Sequence, residues 1–131
     1  MQTVDVIGLG HVSFYVDDLA KARAFYQEVF GFREISVSLG ESDGSTMVFL
    51  ENGPVTIELV GFQVPPQRQD GLIDHLCLRV ADIKETQKRL QAFGFAEGCE
   101  IGLDQDIYPN GGLFMIFRGP CGERLQVEQR L

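Results

Sequence analysis

Residues 10–32 read GHVSFYVDDLAKARAFYQEVFGF, and residues 74–95 read DHLCLRVADIKETQKRLQAFGF. Laid over one another, His11 falls on His75, Val16 on Val80, Asp18 on Asp82 and Leu19 on Ile83. With one residue dropped in the helix, Gly31-Phe32 meets Gly94-Phe95. A repeat at about half the chain length is one supersecondary unit written twice, and it decides the fold before any single side chain is interpreted.

Each copy opens with an alternation, Val12, Phe14 and Val16 in the first and Leu76, Leu78 and Val80 in the second. That period of two predicts a strand with one face on a core. His11, Ser13 and Tyr15 then share the opposite face, as do His75, Cys77 and Arg79. A helix follows each strand. Asp18 and Asp82 are suited to cap its free N–H groups, Asp82 with Glu85 forming a capping-box pair, and Gly31 and Gly94 suit the left-handed position beyond its end. Leu19, Ala22, Phe25, Tyr26, Val29 and Phe30 make an apolar stripe on the first helix, and Ile83, Leu90 and Phe93 a thinner one on the second. Such helices cover sheets.

Beyond the helices lie β-rich runs separated by turn residues. They are Glu34 to Leu39, Thr46 to Leu50 and Val55 to Val60 in the first half, and Ala96 to Leu103, Gly112 to Phe117 and Arg124 to Glu128 in the second. Each half therefore reads β-α-β-β-β. The expected class is α+β: a single domain over 1–131 made of two modules, about 1–64 and 72–131. Gln63 to Gly71, with Pro65-Pro66, is the expected linker. The stretch DQDIYPNGG, Asp104 to Gly112, is longer than a hairpin needs and marks a loop near a site, with Tyr108 and Asn110 as lid candidates.

Composition narrows the partners. The 131 residues carry Lys+Arg 11 against Asp+Glu 19, a net charge of −8, which opposes binding to nucleic acid or an anionic membrane. No stretch reaches the roughly 18 apolar residues of a membrane span, and MQTVDVIGLG lacks the basic and apolar regions of a leader, so the cytoplasm is the expected location. Cys77, Cys99 and Cys121 are odd in number and widely spaced, which fits neither a disulfide framework nor a thiolate zinc knuckle.

The two histidines of the chain occupy one position of the repeat. A second polar pair accompanies them, because VTIELV and LQVEQR each put a carboxylate near the end of the last strand, Glu58 and Glu128, which read as counterparts. A carboxylate among apolar strand neighbours needs a partner, since burying an isolated charge costs several kcal/mol. His11, Glu58, His75 and Glu128 together are the donor types of a divalent Ni, Co, Zn, Fe or Mn centre with room for water. Strand parity adds Ser13, Tyr15 and Cys77 as pocket-lining residues.

Several motifs together resemble the vicinal oxygen chelate superfamily, the glyoxalase/bleomycin-resistance/dioxygenase group. They are Gly10-His11-Val12 with Val16-Asp17-Asp18-Leu19, Ala24-Phe25-Tyr26 to Gly31-Phe32, Ile57-Glu58-Leu59, Asp74-His75-Leu76, and Gly119-Pro120-Cys121-Gly122 leading to Val127-Glu128. The resemblance implies two βαβββ modules whose sheets curl round a metal cleft, and a homodimer. In ligand order the chain is similar to the glyoxalase I enzymes, which isomerise a hemithioacetal by proton transfer. That likeness implies metal ligation by His11, Glu58, His75 and Glu128, with Glu128, or else Glu58, as the base. The arginine and asparagine that hold glutathione in those enzymes are replaced by Tyr15 and Phe62, which argues against glutathione as the substrate. Arg79, or Arg118, Arg124 and Arg130 near the last strand, are the candidates for holding an anionic substrate instead. The same resemblance keeps open an extradiol-type dioxygenase, an acyl-CoA epimerase, and a bleomycin-resistance-type drug-binding protein with no reaction.

Overall fold

The computed structural model describes residues 3–40, 44–67 and 69–131, and the chain divides into two compact units, Met1–Pro66 and Gln67–Leu131. The first unit runs β1 (Val12–Val16), α1 (Leu19–Glu28), β2 (Arg33–Leu39), β3 (Thr46–Asn52) and β4 (Val55–Gly61). The second runs β5 (Leu76–Arg79), α2 (Ile83–Ala92), β6 (Gly102–Asp104), β7 (Gly112–Arg118) and β8 (Arg124–Arg130). Each builds one mixed four-stranded sheet, in the order β1-β4-β3-β2 and β5-β8-β7-β6. β1 and β5 pair in parallel with the last strand of their unit, and the other pairings are antiparallel. This is the expected α+β arrangement of two tandem βαβββ modules.

The caps form as their chemistry requires. Asp18 accepts from the Lys21 N–H and Asp82 from the Glu85 N–H, both at 3.0 Å, satisfying donors that a helix start leaves orphaned. Gly31 and Gly94 stand at φ of 67° and 87° just past the helix ends, a left-handed backbone that a Cβ would oppose. In the first unit Tyr26, Val48, Leu50, Ile57 and Leu59 are wholly buried between α1 and one face of the sheet. Gly61 permits the approach of helix to sheet, because a Cβ there would come within 3.0 Å of Leu19 Cβ. The second unit repeats the plan with Ile83, Leu90, Met115, Leu125 and Val127.

The run Ala96 to Leu103, expected as a strand, is a strand only at its end. Ala96 and Gly98 both have positive φ, and the Cys99 N–H donates to the Ala96 carbonyl at 3.1 Å, so a turn occupies the start of the run. β7 and β8 extend past their expected ends to Arg118 and Arg130, and β3 past Leu50 to Asn52. Among the described residues no helix is long and apolar enough to cross a membrane.

Candidate metal centre

In the first unit His11, just before β1, and Ser13 and Tyr15 on it are all exposed. The parallel register sets Ser13 beside Glu58 and Tyr15 beside Val60. Ser13 Oγ donates to Glu58 Oε1 at 2.8 Å. The His11 imidazole lies edge-on to Phe49 at 5.2 Å, and Phe49 is the antiparallel Cα partner of Glu58. Imidazole, hydroxyl and carboxylate thus share the open face of this sheet. Tyr15 is 66% exposed and packs edge-to-face on Phe62 at 5.1 Å, which gives this position an aromatic edge in place of a fixed cation.

The second unit arranges more groups on its corresponding face. His75 Nδ1 lies 2.7 Å from Asp74 Oδ2, and Asp74 also meets Arg124 at 3.3 Å. The hydrogen bond from His75 holds the Asp74 carboxyl below its ordinary range, the Arg124 charge adding to it. An ionised carboxylate only accepts, so Nδ1 carries a proton, and in the neutral ring Nε2 is the nitrogen with the lone pair. A carboxylate in this position is what orients an imidazole for a metal.

Glu128 is the most heavily engaged group of the unit, its side chain 13% exposed. Oε1 accepts from Tyr108 Oη at 2.8 Å and from Cys77 Sγ at 3.3 Å, and Oε2 from Arg130 Nε at 3.4 Å. Burial pushes its carboxyl up, but the Tyr108, Cys77 and Arg130 donors outweigh it and the net shift is downward. Burial, and then the hydrogen bond to Glu128, push the Cys77 thiol up to about 12. Tyr108 is raised by the same carboxylate. Arg130 also stacks on the Tyr108 ring, 4.1 Å from its centroid, while Tyr108 holds a φ of 57°.

Register corrects the pairing of Glu58 with Glu128 as counterparts. Val12 lies beside Ile57, and Leu76, its partner in the repeat, lies beside Leu125. Glu58 therefore corresponds to Gln126, which sits opposite Cys77 as Glu58 sits opposite Ser13. Glu128 stands two residues further on, opposite Arg79, on the same face as Gln126. The physical cause is the core. The buried pair Leu125 and Val127 matches Ile57 and Leu59, so the polar residue each pair encloses, Gln126 or Glu58, takes the equivalent place.

Gln126 was legible in sequence as the polar residue between Leu125 and Val127, in the place Glu58 takes between Ile57 and Leu59. A search for carboxylates passes over it. Asp74 and the Tyr108–Glu128–Arg130 cluster depend on how loops fold back, which strand patterning does not encode. Among the described residues no three His, Cys, Asp or Glu side chains are gathered as a metal would hold them. The donor chemistry nonetheless suits a divalent ion: each unit offers an imidazole just before its first strand and a side-chain oxygen on its last, with one imidazole oriented by a carboxylate.

Residues 8–127 match the model of the Glyoxalase/Bleomycin resistance protein/Dioxygenase superfamily. The Bacillus subtilis (strain 168) protein YwkD is 32% identical over 89 residues, covering 64% of this chain and 70% of that protein. The fold is similar to that of the Listeria monocytogenes fosfomycin resistance protein FosX in complex with Mn(II) and sulfate ion. The TM-score is 0.69 at 20% identity, with 97% of this chain and 95% of that one covered. It is also similar to the trypanothione-dependent glyoxalase I of Leishmania major, with TM-score 0.70, 22% identity, and 91% and 84% covered.

Proposed function

The chain belongs to the Glyoxalase/Bleomycin resistance protein/Dioxygenase superfamily, and from that membership we propose that it is a metal-dependent lyase or isomerase of the glyoxalase I type. Its reaction is proton transfer on a small substrate held through its oxygens. The observation that carries this reading is the repeated placement of an imidazole just before β1 and β5 and a side-chain oxygen at the matching position of β4 and β8, with a separately held carboxylate beside the second pair.

The proposed ligands are His11, Glu58, His75 and one oxygen from β8. The sequence reading assigns that oxygen to Glu128. The register and the three donors already on Glu128 favour Gln126 for it, and leave Glu128 to move the proton. A divalent ion bound there supplies charge to polarise the substrate's oxygens and stabilise the anion that proton removal creates. Asp74 fixes the His75 ring with Nε2 free. Glu128, ionised and held below its ordinary range, accepts the proton, and Tyr108 keeps its carboxylate aligned while it does so. Ser13 and Tyr15 in the first unit and Cys77 and Arg79 in the second are the proposed substrate-contacting residues. Tyr15 and Phe62 stand where glutathione anchors are expected, so the thiol partner, if any, is other than glutathione.

The test is turnover of metal-reconstituted protein with methylglyoxal and a panel of thiols, alongside catechols and acyl-CoA thioesters. Glu128→Gln is expected to keep its metal and lose at least about a hundredfold in kcat, the usual scale of a general base. Ring opening of catechols with consumption of dioxygen would replace this reading by a dioxygenase. Tight drug binding without turnover or metal would replace it by a sequestering protein. The expected form is a cytoplasmic homodimer, and light scattering at the mass of a single chain would remove the dimer.

A further inference from the structure

An open recess of about 400 Å³ lies in the second unit, bounded by Arg79, Val80, Ala81, Gln129 and Arg130. Its walls are fixed by main-chain pairing. The Val80 N–H donates to the Glu128 carbonyl at 2.8 Å, and the Gln129 side chain accepts from the Ile83 N–H at 2.9 Å. Arg79 is the Cα partner of Glu128 across β5 and β8, and Arg130 follows Glu128 by two residues on the same face of β8. Two guanidinium groups thus border one concavity next to the carboxylate that carries the proposed proton transfer.

Their states differ. Arg130 is held in place, its Nε against Glu128 Oε2 and its plane over Tyr108. Arg79 is exposed and has no hydrogen-bond or ion-pair partner among the described residues. Arg118 and Arg124 are ion-paired with Asp70 and Asp74, as Arg130 is with Glu128, so Arg79 differs from all three. In a chain of net charge −8, two cations against one carboxylate are a local exception to the acidic balance. Guanidinium forks match oxyanions in shape as well as charge, and a partly enclosed recess strengthens that attraction over bulk water.

We propose that this recess receives the anionic head, a carboxylate or a tetrahedral oxyanion, of a small organic acid, with Arg79 closing on it and Arg130 as the preset partner. The inference deepens the proposed function, on which it rests, by naming the substrate class. An acid seated there brings its remaining carbons towards Glu128, and a neutral substrate leaves Arg79 unmatched.

The test is calorimetric titration of the full-length protein with inorganic phosphate and with acetate at low ionic strength, on metal-loaded and on chelator-treated protein. Saturable binding is expected in both forms, weakened about tenfold or more by Arg79→Gln, the scale of one charge-assisted hydrogen bond, and partly restored by Arg79→Lys. Preference for phosphate over acetate, or the reverse, identifies the head group. Absence of saturable binding in both forms overturns the inference, as does binding confined to metal-loaded protein and indifferent to Arg79→Gln, since the anion is then on the metal. Circular dichroism checks the fold of Arg79→Gln, and Arg130→Gln gives a second reading if that variant is unfolded. Metal uptake, measured separately, is expected to be unchanged in Arg79→Gln. If metal uptake fails while anion binding still depends on Arg79, the metal reading is lost and the anion site stands.

Discussion

Glu128 and Cys77 form a coupled pair whose behaviour distinguishes this site from a solvated surface cluster. The thiolate is the nucleophile, and a thiol pushed up to about 12 by burial and by Glu128 supplies almost none of it at neutral pH. Alkylation of Cys77 by iodoacetamide at pH 8, followed by peptide mass spectrometry, is expected to be slow and to accelerate in Glu128→Gln. Equal rates in the two proteins would show that the carboxylate does not control the thiol. The same shifts set a pH dependence. Folding lowers Glu128 from 4.5 and Asp74 from 3.8, so their contribution is present above those values and lost as pH falls through the lower folded ones. Folding raises Cys77 from 9.0, so its contribution is intact below 9 and lost as pH climbs towards about 12. Urea midpoints are therefore expected to be level between about pH 5 and 8 and to fall on both sides. In Glu128→Gln the acid limb flattens.

At the scale of the element, the helix ends give a local test. Asp82 caps α2 with its side chain on the Glu85 N–H, while its carbonyl accepts from the Thr86 hydroxyl. Asp82→Ala is expected to cost about 1 kcal/mol in urea unfolding, and Asp82→Asn much less, because the asparagine oxygen still accepts. These caps, the glycine ends and the strand alternation were legible in the sequence because each is a local rule acting over four residues or fewer. The strands themselves were legible wherever apolar alternation met a buried helix face, as at Ile57 and Leu59. Ala96 to Leu103 was misread because a β-like composition says nothing about the positive φ at Ala96 and Gly98 that bends it into a turn. The candidate site was half legible. His11 and His75 follow as candidates from the repeat and Glu58 from strand parity, but the choice between Gln126 and Glu128 requires the register across β5 and β8. Tyr108 reaches Glu128 only because the loop between β6 and β7 folds back. Tyr108→Phe is expected to keep the fold and metal content while slowing turnover, with kcat falling more than KM rises; unchanged kcat would remove its aligning role.

For the whole molecule, the duplication means that each unit carries its own helix-on-sheet core, and the open faces of the two sheets carry the polar groups. Leu59 and Leu125 are buried to 0% and 1% exposure in their respective units, and replacing either by Ala is expected to cost about 3 kcal/mol, the usual range for a buried leucine. A loss below about 1 kcal/mol at one of them would show that unit to be loosely packed. The metal-dependent proton chemistry proposed for the chain takes His11, Glu58, His75 and an oxygen of β8 as its ligands, drawn from one chain or from two. Its most direct test is metal analysis with titration of the full-length protein, wild type beside His75→Ala, Gln126→Leu and Glu128→Gln. The account predicts close to one equivalent of a divalent transition metal per chain, consistent with a single N/O site. Uptake is lost in His75→Ala, weakened in Gln126→Leu and kept in Glu128→Gln. Less than about a tenth of an equivalent in the wild type, with no uptake on adding nickel, zinc or manganese, would contradict it.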